Sequence, residues 1–414
     1  MPQPSNTAPP TLLRAAWLIP MDRPPIRDGA VVLSNGKIAA IGSAGDLRIN
    51  HADATPQDLG ESVLLPGLVN AHAHLELSTH SRTGPPASFV DWLIELMGRS
   101  LDVQKAVELG VAQSIRFGVT TVGDISRQCA ITRPLLAAGP LRIVSYGEVQ
   151  AMAQRRVLLD ERFAVATDTS QESEFLRVGV TPHAPYSIEP AGYRRCLDFA
   201  IRTAHPIATH LAETPGEATF LADHTGPFRE LWSWLNRWDD NVPKFSGGPI
   251  RYAKSLGLIN HPMLLAHVNY CDDDEMKILA AGRASVVYCP RTHAFFGHPP
   301  HRWRTMLQHG INVAVGTDSC ASSPDLNLLD DLRLLRKLAP EIPATDLLAM
   351  ATTRAARALG IESQIGSLTP GKAADAIAIP AIDLEDVLNR QTLPSAVWIN
   401  GRQITTPFLP PLAA

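Results

Sequence analysis

Two histidines separated by one residue, His72 and His74, close an apolar run that begins at Leu64. In an extended strand, side chains two positions apart project from the same face, so both imidazoles can reach one metal ion. Such a pair is a weak signal alone, because histidines at strand ends often only form hydrogen bonds. Its significance depends on whether the chain supplies further ligands.

Further apolar runs of the chain also end in residues that bind metals or transfer protons. These closing residues are His183, His210, His267 and Asp318, with Glu213 three positions after His210. Five of the fourteen histidines therefore lie at predicted strand ends. Three imidazoles and one carboxylate suit Zn²⁺ or Fe²⁺ better than a hard ion such as Mg²⁺.

These residue types predict a hydrolytic metal centre with one divalent ion per chain, Zn²⁺ first and Fe²⁺ as the alternative. The predicted ligands are His72, His74, His210 and Asp318. Such an ion lowers the pKa of a bound water from about 15.7 to about 7, which gives hydroxide at neutral pH. Asp318 would also accept a proton, Glu213 would carry one to the substrate, and His267 would stabilise developing charge.

Each of these residues also has a structural interpretation that the sequence leaves open. His183 or His267 alone could be an ordinary buried histidine, and Glu213 could cap a helix. Asp318 follows a glycine-containing segment and could be a turn residue. Their joint occurrence at corresponding positions favours a functional site.

Eight apolar runs with strand character alternate with helical patterns through the middle of the chain. Helical segments are predicted between most of these runs, for example at 191–203, 272–281 and 302–309. Alternation over about 300 residues is typical of a (β/α)8 barrel, whose reactive groups lie at the carboxyl ends of the strands. We therefore predict an α/β protein with a (β/α)8 TIM barrel, the hydrolase domain, at residues 64–362.

The two ends of the chain predict a second, smaller unit. Asn35-Gly36 lies between two apolar runs, which is a strong hairpin signal, and the tail repeats this strand-rich pattern. We predict that residues 1–63 and 363–414 combine into a β-sandwich domain. The tryptophan-rich segment 215–262 predicts an additional helix or lid near the site, with plain packing as the alternative role of its tryptophans.

Composition and charge narrow the class of protein further. Hydrophobic residues make up 45% and charged residues 19%, an ordinary globular composition. The net charge of -4 and the lack of a basic run predict no nucleic-acid or membrane partner. The start is unlike a secretory signal, and no stretch approaches the roughly 20 apolar residues of a membrane span. With five scattered cysteines, a cytoplasmic protein is expected.

Several motifs resemble those of the amidohydrolase superfamily. They are Pro66–His74, His210–Glu213, Leu265–His267, Gly316–Ser319 and the tail motif Gly366–Asp375. More narrowly, the chain is similar to the cytosine-deaminase-like branch, with its triazine hydrolases and adenosine-type deaminases acting on aminodeoxyfutalosine or S-adenosylhomocysteine. The resemblance implies a mononuclear centre on the four ligands, with Glu213 and His267 handling protons. A binuclear centre with a carbamylated lysine is disfavoured, because no lysine lies between Lys105 and Lys244.

The resemblance also implies substrate-binding residues. His183 would contact substrate, and Glu76 would bind substrate hydroxyls or orient a metal-binding histidine. Arg291 and His293 stand where many relatives have a Ser-Asn pair, which predicts that they line the pocket and meet an anionic or oxygen-rich group. Their alternative role is to hold this loop to the rim of the barrel.

The resulting hypothesis is a metal-dependent hydrolytic deaminase that releases ammonia from a purine-like, adenosine-type ring by attack of metal-bound hydroxide. One alternative is an amidohydrolase or chlorohydrolase that cleaves another C–N or C–Cl bond of a heterocycle. Another is a catalytically inactive barrel that serves as a binding protein. The expected partner is a small heterocyclic substrate, and a homo-oligomer is left open.

Overall fold

The computed structural model describes residues 9–82, 84 and 86–405. Its first part forms a strand-rich unit with β1 (Thr11–Leu18), β2 (Ile26–Ser34), β3 (Lys37–Ser43), α1 (Ala44–Asn50), β4 (Thr55–Asp58) and β5 (Ser62–Pro66). Strands β2 and β3 pair antiparallel around Asn35-Gly36, as predicted. Both turn residues have positive φ, 50° and 75°, which Asn and Gly tolerate best.

All eight predicted apolar runs of the central region form strands. They are β6 (Leu68–Ala73), β7 (Val119–Ser126), β8 (Arg142–Val149), β9 (Leu176–Pro182), β10 (Ala208–Leu211), β11 (Leu264–His267), β12 (Ser285–Tyr288) and β13 (Val313–Val315). They build two parallel four-stranded sheets with the orders β6-β7-β8-β9 and β10-β11-β12-β13. Isolated parallel bridges join Val180 to Ile207 and Ala73 to Asp318. The predicted α/β architecture with parallel strands is confirmed.

Helices separate most of these strands. They are α2 (Phe89–Gly98), α3 (Val103–Arg116), α4 (Cys129–Ala137), α5 (Leu159–Ala166), α6 (Pro190–Thr203), α7 (Gly216–Asp223), α8 (Pro227–Trp234), α9 (Pro249–Ser255), α10 (Asp273–Ala280), α11 (Pro290–Phe295), α12 (Trp303–Gln308), α13 (Leu328–Leu338), α14 (Ala344–Met350) and α15 (Thr353–Ala358). Residues at the N-termini explain where two of these helices begin. Pro190 is the first residue of α6, and Asp272 and Glu275 form a capping box at the start of α10. The helices predicted at 191–203, 272–281 and 302–309 coincide with α6, α10 and α12.

The C-terminal part of the described chain adds strands to the sheet of the N-terminal unit. It forms β14 (Ala376–Pro380), α16 (Leu384–Asn389), β15 (Ala396–Ile399) and β16 (Arg402–Gln403). Strand β14 pairs antiparallel with β5, so both ends of the chain share one eight-stranded sheet. Residues 1–8 and 406–414 of the predicted sandwich domain lie outside the described residues.

The parallel strands are buried on both faces, as expected when helices cover a parallel sheet. Every residue of β6 and β7 is buried, including the polar ones that carry the site. Strand β6 follows β5 after the single residue Gly67, so the shared terminal sheet fixes where the first strand of the parallel sheets begins. Within the described ranges, no helix is long and apolar enough to cross a membrane.

Candidate metal centre and active site

Four imidazoles and one carboxylate converge where the parallel strands end. His72 lies on β6, His74 directly after it, His210 on β10, His267 at the end of β11, and Asp318 shortly after β13. The ring centroid of His72 lies 5.1 Å from that of His74, 4.9 Å from that of His210 and 5.4 Å from that of His267. Three overlapping triads have all ligand atoms within 4.8 Å: His72–His210–His267, His72–His74–Asp318 and Glu213–His267–Asp318.

The backbone between β6 and β13 brings His72 and Asp318 together. The carbonyl oxygen of His72 accepts hydrogen bonds from the backbone N–H of Thr317 at 3.1 Å and of Asp318 at 3.0 Å. Asn70, buried on β6, accepts from the Thr317 N–H and donates to its hydroxyl. A Cβ atom on Gly316 would lie 2.7 Å from the His72 carbonyl oxygen, so only glycine fits. Sequence reasoning missed Asn70, although it stands within the recognised motif.

The donor atoms are arranged as a bound cation requires. Nε2 of His74 lies 3.4 Å from both Nε2 of His210 and Oδ1 of Asp318. His210 Nδ1 donates to the carbonyl oxygen of His183 at 3.2 Å, which leaves its Nε2 with a lone pair. Both ring nitrogens of His72 are buried without a hydrogen-bond partner among the described residues. Ligands about 2.1 Å from one zinc ion in tetrahedral geometry lie about 3.4 Å apart, so the residues fit.

The electrostatic environment favours the metal-binding form of three of the proposed ligands, His74, His210 and Asp318. Burial lowers the pKa of His74 to about 4 and the pKa of His210 well below its usual value, so both imidazoles are neutral. Burial alone would raise the pKa of Asp318, but His72, whose Nε2 lies 3.6 Å from Oδ1, and the neighbouring histidines His74 and His267 hold it well below the usual range. Ser322 Oγ donates to Oδ2 of Asp318 at 2.8 Å and fixes the charged carboxylate.

Glu213 and His267 form a pair beside the ligands. Oε1 of Glu213 lies 3.4 Å from Nε2 of His267. Burial, and then the charges of Asp318 and Glu217, raise the pKa of Glu213 well above that of an ordinary glutamate. The carboxylate of Glu217, in the first turn of α7, accepts the three backbone N–H groups of residues 212–214 at 2.5–3.1 Å. Glu217, which sequence reasoning also missed, therefore fixes the loop that carries Glu213.

A cavity of about 680 Å³ opens above this centre. Its apolar wall comes from α2, with Phe89, Trp92, Leu93 and Leu96, and from the tryptophan-rich segment, with Leu231, Trp232 and Leu235. The indole N–H of Trp232 donates to the carbonyl oxygen of Tyr186 at 2.8 Å. The segment 215–262 thus forms helices near the site, and Trp232 both packs and lines the cavity.

Two of the predicted substrate-binding residues line this cavity. Nδ1 of His183 lies 2.7 Å from the Ser187 hydroxyl, and its Nε2 lies 3.8 Å from a carboxylate oxygen of Glu148. Glu76 accepts the backbone N–H of Gln128 at 3.0 Å, and burial raises its pKa to about 7. Both side chains therefore lie at the wall of the cavity beside the metal-binding residues.

The structure places the other two, Arg291 and His293, away from the cavity lining. Arg291 donates to Asp331 at 2.9 Å and to Asp325 at 2.6 Å, and its side chain is 11% exposed. His293 Nδ1 lies 3.1 Å from Oδ1 of Asn269. This placement does not support the expected substrate contacts, because both side chains already hold parts of the protein together.

Arg291→Ala should therefore destabilise the protein without changing its metal content. The variant leaves the carboxylate of Asp331, which is fully buried, without its cation, and such a loss costs about 3–5 kcal/mol. We expect a lower urea midpoint and an unchanged metal-to-protein ratio. Arg304→Ala, which breaks an exposed pair with Glu341, is the control and should leave the midpoint nearly unchanged. A normal urea midpoint together with a raised KM would instead indicate that Arg291 binds substrate.

Neutral buried imidazoles, a charged carboxylate and a protonatable glutamate around one cavity define a metal-dependent hydrolase centre. The chain belongs to the amidohydrolase family, whose sequence pattern matches residues 63–404, and it is a hydrolase acting on carbon–nitrogen bonds. This family is metal-dependent.

The chain is also similar to curated deaminases, and its fold matches that of solved structures. It is 28% identical over 375 residues to the 5-methylthioadenosine/S-adenosylhomocysteine deaminase of Syntrophobacter fumaroxidans, covering 85% of this chain and 80% of the relative. It is 30% identical over 351 residues to the aminodeoxyfutalosine deaminase of Deinococcus radiodurans, covering 80% and 81%. The fold matches a zinc-bound adenosine deaminase from Xanthomonas campestris with a TM-score of 0.79, at 22% identity over 95% of this chain and 92% of that chain.

Proposed function

We propose that this protein is a hydrolytic deaminase that releases ammonia from the adenine ring of a nucleoside. One Zn²⁺ ion, or Fe²⁺ on the same donors, would be held by His72, His74, His210 and Asp318. The observation that carries the proposal is the set of donor atoms 3.4–3.6 Å apart beside the Glu213–His267 pair. The deaminase names of the curated relatives support the substrate class.

The residues of the chain would divide the proton transfers among them. When bound, the ion activates water for attack on the ring carbon that bears the amine. Glu213, whose raised pKa favours its acid form, would donate a proton to the adjacent ring nitrogen and make that carbon electrophilic. Asp318 would take one proton of the attacking water and pass it to the departing amine, which leaves as ammonia. The second proton of that water would pass from the new oxygen to Glu213, which restores the acid and leaves a carbonyl group on the ring. His267 would donate a hydrogen bond to the new oxygen substituent.

We also propose that the two parallel sheets close into one (β/α)8 barrel spanning residues 64–362. The parallel bridges Val180–Ile207 and Ala73–Asp318 lie at the two places where β9 meets β10 and where β13 meets β6, which supports closure. The sheet shared by both chain ends would form the core of the predicted β-sandwich domain, from residues 1–63 and 363–414.

Two arginines on the cavity wall favour a substrate that carries an anionic group. Arg127 and Arg155 line the cavity together with the carboxylates of Glu76, Glu148 and Glu161, but within the described part of the chain neither arginine side chain forms a hydrogen bond or ion pair. Burial, and then repulsion from Arg127, lower the pKa of Arg155. An anionic group on the substrate would compensate this charge. The 5′ substituent of S-adenosylhomocysteine ends in a carboxylate and an ammonium group, whereas methylthioadenosine has neither, so we favour nucleosides that present a carboxylate to these arginines.

The test is ammonia release by metal-loaded protein from S-adenosylhomocysteine and methylthioadenosine, with guanine, cytosine and a triazine for comparison. We expect deamination of the adenine nucleosides. Arg155→Ala should raise KM for S-adenosylhomocysteine by about tenfold or more, because a charge-assisted hydrogen bond is lost, and leave KM for methylthioadenosine within about twofold. Arg402→Ala, which removes an exposed arginine of β16 that does not line the cavity, is the control.

Two outcomes would count against these proposals. No ammonia from any adenine nucleoside, with one metal ion per chain, would overturn deamination, and chloride released from the triazine would then favour the chlorohydrolase alternative. An equal rise of KM for both nucleosides in Arg155→Ala would show that this arginine does not recognise a carboxylate.

A further inference from the structure

The backbone after β11 adopts an unfavourable conformation next to the proton-transfer pair. His267 has φ 72° and Val268 has φ 51°, in the left-handed region that β-branched residues rarely enter. Such a conformation persists only where the surroundings hold it. The Val268 N–H donates to the carbonyl oxygen of Leu211, and the Tyr270 N–H donates to that of Ala212. The strained segment is therefore tied to the loop that carries Glu213.

Asn269 adds a side-chain link between these two loops. Its Nδ2 donates to the backbone carbonyl oxygen of Glu213 at 3.1 Å. A carbonyl only accepts, so this bond fixes the amide orientation and turns Oδ1 toward Nδ1 of His293, at 3.1 Å. His293 satisfies Oδ1 of Asn269 when Nδ1 carries a proton, and it satisfies the carbonyl oxygen of Pro299 when Nε2 carries one, so both ring nitrogens face acceptors. Its imidazole is buried, and its Nε2 lies 2.9 Å from the carbonyl oxygen of Pro299.

His301 makes a second link from the same region of the chain. Its Nε2 donates to the carbonyl oxygen of His267 at 2.9 Å, and its ring stacks on Tyr288 with centroids 4.0 Å apart. His293 packs edge-on against the same tyrosine ring at 5.3 Å. Residues 293–301, the histidine segment, thus hold the backbone carbonyl of His267 directly and that of Glu213 through Asn269.

We propose that the histidine segment positions Glu213 and His267 for proton transfer, with His293 acting through Asn269. The inference rests on the proposed function, because it assumes that this pair moves protons. His293, Asn269 and His301 do not line the cavity, so they are positioning residues rather than catalytic ones. We call these contacts to the backbone carbonyls of Glu213 and His267 the relay. Displacing a catalytic group by about 1 Å can lower turnover about 100-fold, so disrupting the relay should lower kcat.

A matched pair of substitutions at His293 tests the relay. The amide nitrogen of asparagine reproduces the position of the histidine Nδ1, whereas that of glutamine reproduces Nε2. His293→Asn should keep kcat within about threefold, while His293→Gln should lower it about 10- to 100-fold, with KM within about twofold and one metal ion per chain. Asn269→Asp tests the next contact without removing a buried ring, since it replaces the donor to Glu213 with an acceptor. It should behave like His293→Gln.

The control is His309→Gln, which replaces an exposed histidine at the end of α12, outside the histidine segment. It should turn over normally. Amide hydrogen exchange of residues 211–214 and 266–270 gives a second readout that needs no activity. Exchange there should be faster in His293→Gln and Asn269→Asp and unchanged in His293→Asn.

The two readouts separate failure of this inference from failure of the proposed function. If the wild-type protein released no ammonia, the deaminase proposal would be overturned. The amide hydrogen exchange of the variants would still support or overturn the relay. Equal kcat and equal exchange in His293→Asn and His293→Gln would overturn it. A change confined to KM would also overturn it, because it would assign His293 to substrate binding.

Discussion

Glu213→Gln should retain one metal ion per chain and lower kcat by about 1,000-fold. Glutamine has the same shape and stays next to His267, but it cannot deliver a proton to the substrate. Glu213 can do so at neutral pH because burial, and then the charges of Asp318 and Glu217, keep its pKa well above the ordinary value. Ammonia-release kinetics and metal analysis on the same preparation measure the two effects.

The matched control for this substitution is Glu161→Gln, which removes a carboxylate from the exposed rim of the cavity and should turn over within about twofold of wild type. The pH profile gives a further check. Wild-type kcat should fall as pH rises through the raised pKa of Glu213, since the acid form is the one that donates. Near-normal turnover by Glu213→Gln would leave Glu213 with a structural role only.

His210→Ala should remove the bound metal, from about one ion per chain to nearly none. His210 Nε2 lies 3.4 Å from that of His74, within the ring of donor atoms, and its Nδ1 contact with the carbonyl of His183 fixes the ring. Losing it leaves three of the four proposed ligands. Because a bound ion stabilises only the folded state, the melting temperature of the metal-loaded protein should also fall.

The control for the metal prediction is His309→Ala, which removes an exposed histidine at the end of α12. It should leave metal content, measured by plasma mass spectrometry after dialysis, and melting temperature unchanged. A full complement of metal and normal turnover in His210→Ala would place the centre elsewhere. Loss of metal from His183→Ala would instead make His183 a ligand.

The sequence predicted the strands and the convergence of their polar ends because both follow from local pattern. Apolar runs of four to eight residues define strands, and parallel strands in one sheet bring their carboxyl ends to the same edge. His72, His210 and Asp318 are far apart in sequence, yet each closes such a run. Their meeting could therefore be predicted without knowing any side-chain contact.

The surroundings of the site could not be predicted in this way. Arg291 is a plausible substrate ligand until its partners are known, and these lie 34 and 40 residues further along the chain, at Asp325 and Asp331. The roles of Asn70 and Glu217 depend on which backbone groups face them. Such contacts are set by tertiary packing, which residue type and spacing do not specify.

The pairing of β5 with β14 has a consequence for how the protein is made. Strand β5 leads into β6, which carries His72, and the N–H of Gly67 between them donates to the carbonyl oxygen of Asp375. Translation delivers every proposed metal ligand before residues 375–380 leave the ribosome. A nascent chain therefore has all its ligands while β5 still lacks one neighbour, so the first metal-binding strand is anchored only after the whole ligand set has been made.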